Sequence, residues 1–393
     1  MRKVVIGGVG LTSFERLPGR NVRVLAVDAA NAALADAGRP AADVQRIFFG
    51  NAAAGVISQQ EMIRGQAALR FHELAGTALI NIENACASGG SALSLAFDEI
   101  RSGLLDVVLV IGVEFMNHAD RLRAFNALHG STDVEEIGEY EPGVRAAHSI
   151  LMDFYSGVAR DYLERYDATA EDFGRVAVKN RRHAAANPIA QFKSAQTLDD
   201  VMNARMIATP LTLPMCAPVT DGGCALLVCS EDYARRHQLR AVEILASEVA
   251  AQTAAGGSPV PVAAALAYER AGISNPRDFD VIELHDAAAP AELAQYSEIG
   301  LCEEGQAHHL LREGKTSLGG RWPVNTSGGL LSRGHALGAT GCAQVAELCL
   351  QLRGEAQGRQ VENARIALAI NGGGWLASSY ALTVATIVQA IKL

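Results

Sequence analysis

One pattern occurs twice in this chain. Residues 28–37, Gly38 and the run Ile47-Phe-Phe-Gly-Asn51 return as residues 262–271, Gly272 and Val281-Ile-Glu-Leu-His285, always 234 residues later. Each copy reads as an alanine-rich helix stopped by glycine, a short buried strand, and a polar residue at the strand's end. Two α/β halves of similar build account for this better than two unrelated domains. Asn51 and His285 are then counterparts. The echo continues as Ser88-Gly-Gly90 with Ser327-Gly-Gly329, 239 residues apart, and as residues 107–112 with 366–372, about 260 apart. A growing offset is what loop insertions produce.

Between the halves, residues 119–205 lack the strand rhythm and carry many charges, including Asp133-Val-Glu-Glu136 and Lys179-Asn-Arg-Arg182. They read as an insertion covering one face of the first half, with Lys179 to Arg182 as a solvated helix face. The division is therefore residues 1–118 with 206–240 as the first half, 119–205 as a loop domain, and 241–393 as the second half. No Pro- or Ser-rich linker separates them, so the halves should pack rigidly.

Composition removes several classes of function. Lys and Arg number 34 against 43 Asp and Glu, a net charge of −9, which argues against a nucleic-acid binder. No run reaches the ~18 apolar residues of a membrane span. Met1-Arg-Lys-Val-Val-Ile-Gly reads as a strand rather than a signal peptide. Seven cysteines, an odd number without a CxxC pair, point to a reducing cytoplasm and no disulfide framework. Ile391-Lys-Leu393 is not read as a peroxisomal address, because isoleucine stands where a small residue is needed.

Four segments carry chemistry. In Asn84-Ala-Cys-Ala-Ser-Gly-Gly90, Cys86 sits where a helix opens, and the exposed N–H groups there should favour a thiolate. The plainer role, a small buried hydrophobe, suits the other six cysteines. In Gly334-His-Ala-Leu-Gly-Ala-Thr-Gly341, His335 lies in a glycine-dense turn as a candidate base. His285, in Glu283-Leu-His-Asp286, stands at a strand end. Gly372, Gly373 and Gly374 follow another strand and can present backbone N–H groups as an oxyanion hole. By contrast, Ile6-Gly-Gly-Val-Gly10 is not a dinucleotide fingerprint, and His308-His309 near Cys302 lack a ligand set with metal-site spacing. No metal is expected in this chain.

At these residues the chain resembles the thiolase superfamily, especially its sterol-carrier-type branch. The likeness runs through the Cys86 loop, Gly112-Val-Glu-Phe-Met116, Pro210-Leu-Thr212, Pro218-Val-Thr-Asp-Gly222, His285-Asp286 and the His335 loop. It implies a five-layer αβαβα fold of two pseudo-symmetric halves with an inserted loop domain, and a homodimer. It also implies roles: Cys86 attacks a carbonyl and carries the acyl group, His335 activates it, and His285 joins His335 in binding the thioester oxygen. The N–H groups of Cys86 and the Gly372, Gly373 and Gly374 turn complete a second oxyanion hole.

Three positions depart from the family pattern. Ile370 or Asn371 stands where degradative thiolases carry a second cysteine, Ala287 follows His-Asp where the branch has cysteine, and Ala336 replaces the proline after His335. The expectation is an acyl-CoA C-acyltransferase with coenzyme A as substrate, cleaving a β-ketoacyl-CoA or running the reverse condensation through acyl-Cys86. A bulky aromatic or steroid-type acyl group and a small zinc-containing OB-fold partner subunit fit the missing thiols. The alternatives are an aldolase-type C–C lyase of the same fold and a non-catalytic lipid-binding or scaffold subunit.

Overall fold

The computed structural model describes residues 2–137 and 148–391. Nine strands form one mixed sheet: β1 (Val4–Leu11), β2 (Arg46–Gly50), β3 (Ala78–Ile82), β4 (Val107–Glu114), β5 (Gly222–Ser230), β6 (Val242–Ala251), β7 (Val281–Glu283), β8 (Ile366–Gly373) and β9 (Leu382–Ala390). Their order across the sheet is β3-β2-β4-β5-β1-β6-β9-β8-β7. The halves join where β1 pairs antiparallel with β6, Val5 opposite Glu243. The strand order therefore reads outward alike from this seam.

The helices that sort the layers are α1 (Val22–Ala37), α2 (Ser88–Ser102), α3 (Ile150–Arg165), α4 (Ala170–Ala184), α5 (Val260–Ala271), α6 (Ala289–Glu298) and α7 (Thr340–Arg353). Strand alternation assigns their places. In the first half Val5, Ile47, Leu109 and Leu227 pack with α1, while Val4, Phe48, Val110 and Leu226 face α2 and α7. In the second half Leu368, Ile370 and Ile387 pack with α5, while Ala367, Ala369 and Val388 face α2 and α7. The central helices are thus shared by both halves, and the five-layer αβαβα arrangement holds. Among the described residues no helix is long and apolar enough to cross a membrane.

Local chemistry explains the repeat. α1 starts at Asn21, whose side chain accepts from Val24 N–H, and stops at Gly38, left-handed at φ 59°. Its counterpart α5 stops at Gly272, φ 69°. Alanines 29 and 33 of α1 lie against β1 so closely that a Cβ on Gly10 would stand 2.1 Å from the Ala29 carbonyl oxygen. The central helices correct the expected correspondence. The short 3-10 turns Ala85–Ala87 and Leu337–Ala339 lead into α2 and α7, and these end at left-handed Gly103 and Gly354. Gly338, not a residue near Ser327, is therefore the counterpart of Cys86. Ser327-Gly-Gly329 instead turns into the one-turn helix Gly329–Ser332.

The insertion also lies elsewhere than expected. Tyr155 and Tyr162 of α3 and Phe173, Val176 and Ala177 of α4 share a core with Leu293 and Tyr296 of α6, so these helices cover the second half. Lys179 and Arg181 are buried rather than solvated. Lys179 Nζ lies 2.9 Å from Glu292 Oε1, and Asn180 Nδ2 donates to Asp286 Oδ2 at 2.7 Å. Asp286 in turn accepts from Leu330 N–H at 2.7 Å. Burial and the neighbouring Glu292 push the Asp286 carboxyl up. The polar patch that reads as a wet surface is the bolt between cover and core.

The two central helices meet through glycine. A Cβ on Gly341 would stand 2.2 Å from Asn371 Oδ1 and 2.5 Å from Gly90 N. Gly341→Ala should therefore cost about 1–3 kcal/mol of stability, read as a lowered urea midpoint with an unchanged slope.

Candidate active site

Cys86 occupies the 3-10 turn before α2, behind Ala85, a non-glycine residue held at φ 48°. That left-handed backbone is a local strain. It turns the Cys86 side chain across the pseudo-symmetric junction, where Sγ lies 3.3 Å from His335 Nε2. His335 reaches this place from the loop before α7. Its backbone N–H is held by Thr220 Oγ1 at 3.0 Å.

Hydrogen bonds settle both imidazole tautomers. Thr340 Oγ1 donates to the Ala336 carbonyl at 3.0 Å, so it receives the 2.8 Å bond from His335 Nδ1. His335 Nε2 is then unprotonated and faces the thiol as an acceptor. Asn371 Nδ2 donates to the Cys86 carbonyl at 3.2 Å, a partner that can only accept. Its other hydrogen goes to His285 Nδ1, 3.3 Å away. The His285 ring proton is left on Nε2. One histidine thus offers a base and the other a donor, with their rings edge to face at 5.2 Å.

Burial sets the protonation states. The Cys86 thiol is pushed up to about 12, chiefly by desolvation and then by the Glu114 carboxylate. The N–H groups of Gly374 and Cys86 oppose this only in part. The helix terminus therefore does not produce the resting thiolate that the sequence pattern suggests. His285 falls to about 3 through burial and the charge of Arg333, and His335 is lowered well below its ordinary value by burial, His285 and Arg333. The resting pair is a neutral thiol beside a neutral imidazole. Glu114, pushed up to about 7 by burial, accepts from Ala52, Ala53 and Gly338 N–H groups and from Asn51 Nδ2, tying the loops of both halves together.

The three residues line a cavity of about 220 Å³ with mostly apolar walls, including Met116, Phe125, Met152, Tyr155, Trp375 and Tyr380. Gly372 and Gly374 also line it; Gly373 does not, and a Cβ there would strike the Asn84 carbonyl oxygen at 2.4 Å. Arg205 stands exposed at its rim, in no ion pair among the described residues. Glu114 and Thr340 lie within the motifs 112–116 and 334–341, but the motifs assigned them no role; the aromatic wall had no such signal, and Asn371 was marked only as one of two places, with Ile370, for an absent cysteine. Cys86 Sγ and one ring nitrogen from each histidine lie within 4.8 Å of one another, a His2Cys set by composition. Their outer partners are a hydroxyl and an amide rather than the carboxylates that commonly orient metal-bound histidines. His308 bonds Tyr162 through Nδ1 at 3.2 Å and joins no such cluster among the described residues.

Residues 4–232 match the family model described as thiolase, N-terminal domain, and residues 245–386 the one described as thiolase C-terminal domain-like. The chain is 37% identical to sterol carrier protein 2 of Bos taurus, over 94% of this chain and 70% of that protein. It is 36% identical to the acetyl-CoA acetyltransferase of Methanothermobacter thermautotrophicus, over 95% of this chain and 97% of the relative. The benzoylsuccinyl-CoA thiolase subunit BbsB of Thauera aromatica is 35% identical, over 95% of each chain. Among solved structures, the Ltp2-ChsH2(DUF35) aldolase superposes with a TM-score of 0.79 at 27% identity, over 99% of this chain and 98% of that one.

A buried thiol yields its proton only as hydroxide rises. Alkylation of Cys86 by iodoacetamide should therefore climb about tenfold per pH unit from 8 to beyond 10. Rates followed by peptide mass spectrometry check this; a plateau below pH 9 would mean a resting thiolate.

Proposed function

Because the chain belongs to the thiolase family of acyltransferases, we propose that it cleaves a β-ketoacyl-CoA with coenzyme A, or runs the reverse condensation, through an acyl-Cys86 thioester. The observation that carries this reading is the 3.3 Å contact between the thiol and an imidazole nitrogen whose lone pair is fixed by Thr340. Cys86 Sγ adds to the β-keto carbon while its proton passes to His335 Nε2. The tetrahedral oxyanion meets the N–H groups of Cys86 and Gly374, which already face the sulfur. The bond between the α and β carbons then breaks, leaving the acyl group on sulfur and its electron pair in an enolate thioester. The enolate oxygen lies against His285 Nε2–H, and the α carbon takes the proton held on His335. Coenzyme A thiol next attacks the acyl-Cys86 carbonyl, and the released thiolate regains a proton through His335. Every proton is accounted for without a second cysteine.

This scheme also explains a resting site with no net charge. A thiolate and imidazolium formed without substrate bear the full cost of burial, whereas with substrate the oxyanion donors share it. The aromatic wall of Tyr155, Trp375 and Tyr380, together with the BbsB relative, supports a bulky aromatic or polycyclic acyl group. Exposed Arg205 at the rim suits the phosphates of coenzyme A. Edge strand β3, with Ile80 exposed and Met62, Ile63 and Phe71 exposed nearby, supports a homodimer. The two-component name of the Ltp2-ChsH2(DUF35) aldolase supports an additional partner subunit and favours a second reading, a C–C lyase that forms no acyl-enzyme.

Mass spectrometry separates the readings. Incubation with acetyl-CoA or benzoyl-CoA should add the acyl mass to the Cys86 peptide, and Cys86→Ala should lose roughly 10⁴-fold in turnover. Undiminished C–C cleavage in Cys86→Ala, with no adduct in the parent, would move the assignment to the lyase. Arg205→Glu should raise the KM for coenzyme A about tenfold with kcat nearly unchanged. Unchanged KM would remove Arg205 from the binding path.

A further inference from the structure

Two residues before His335 lies a buried charge that the scheme above does not use. Arg333 is 1% exposed, and among the described residues no group accepts a hydrogen bond from its Nε, Nη1 or Nη2. Its guanidinium stands over the Phe14 ring at 5.2 Å. Its backbone is pinned at both ends, N–H to the Gly329 carbonyl at 2.8 Å and carbonyl from Gln191 N–H at 2.9 Å. The nearest carboxylate, Glu283, is 3.9 Å away and committed elsewhere: it accepts from Ser327 N–H at 3.0 Å and Ser327 Oγ at 2.7 Å. Arg333 stands two residues before His335, and Glu283 two residues before His285.

An arginine hidden this deeply ordinarily has a bidentate partner, because leaving a buried charge unpaired is costly. Arg359 follows that rule on the same side of the core, with Glu347 at 2.8 Å. Arg333 does not. Its uncompensated charge opposes protonation of both imidazoles. The other titratable groups facing it are Glu283 on β7 and Cys224 on β5, with the Glu347–Arg359 pair beyond Glu283. Burial and Glu347 push Glu283 up to about 7, so its counter-charge is incomplete near neutrality.

We propose that Arg333 is a positioning residue of the reaction, whose fixed, unpartnered positive charge beside the loop that carries His335 favours the enolate that forms against His285 and His335. A charge in a low-dielectric interior acts over several ångströms with little screening. Acting through the rings, it needs no contact with substrate. A neutral residue with an unbranched stem keeps the packing of that stem and loses the field.

The proposal rests on acyl transfer at Cys86 for its kinetic arm only. In Arg333→Met, kcat should fall about tenfold with KM within threefold, and the acid limb of the kcat profile should move up by about one pH unit. Arg333→Lys should restore most of both. Arg333→Gln, which also lacks the charge, should move the limb as Arg333→Met does, whereas a merely structural role would degrade all three variants alike. Should Arg333→Met fail to fold, the shift in Arg333→Gln decides. Nitrogen-15 titration of the His285 and His335 rings, which needs no acyl substrate, should follow the same order and stays informative if Cys86→Ala proves active. An unmoved limb in folded Arg333→Met or Arg333→Gln, or a Lys variant no better than Met, would overturn the proposal.

Discussion

Everything at the site depends on how closely two helix-opening turns approach each other. A Cβ on Gly89 would lie 2.5 Å from the Gly338 carbonyl oxygen, and one on Gly338 would lie 2.8 Å from the Gly50 and Val113 carbonyl oxygens. No side chain larger than hydrogen fits there without moving backbone. Because Cys86 belongs to one turn and His335 to the loop feeding the other, this contact sets the thiol–imidazole distance. Glu114 clamps the same crossing, gathering N–H groups from the first-half loop at Ala52 and Ala53 and from Gly338 of the second.

Closeness brings burial, and burial decides the chemistry. The enclosure that fixes the geometry also denies the site a resting ion pair, so the catalytic charge is created only with substrate present. The polar groups kept inside have narrow tasks. Thr340 fixes one tautomer and Asn371 the other. Asn371 also donates to the Cys86 backbone, so this amide serves orientation rather than proton transfer. The cover adds Tyr155 to the cavity wall and is bolted to the His285 loop through Asn180 and Asp286.

What could be read from the sequence follows from how local each signal is. Glycine-stopped helices and short apolar strands are local, so the two halves were visible in residues 28–51 and 262–285, while their layering came only with the family resemblance. Cys86 and His335 stood out because each sits in a glycine-rich turn, and His285 because it ends a strand at the place matched by Asn51. The match of Ser88-Gly-Gly90 with Ser327-Gly-Gly329 misled, since three small residues recur by chance while helix ends do not. Lys179 to Arg182 read as a wet face because periodicity cannot report a carboxylate 113 positions onward at Glu292. The elevated thiol was equally hidden, as it comes from layers far apart in the chain.

The central claim is that Cys86 and His335 rest as a neutral pair, with opposite tautomers on the two histidines. Nitrogen-15 NMR of the ring nitrogens at pH 7 tests it most directly. The account predicts neutral rings protonated at Nδ1 in His335 and at Nε2 in His285, unchanged in Cys86→Ala. An imidazolium at His335 that loses its proton when Cys86 is replaced would contradict it, because it would reveal a thiolate–imidazolium pair already formed in the free enzyme.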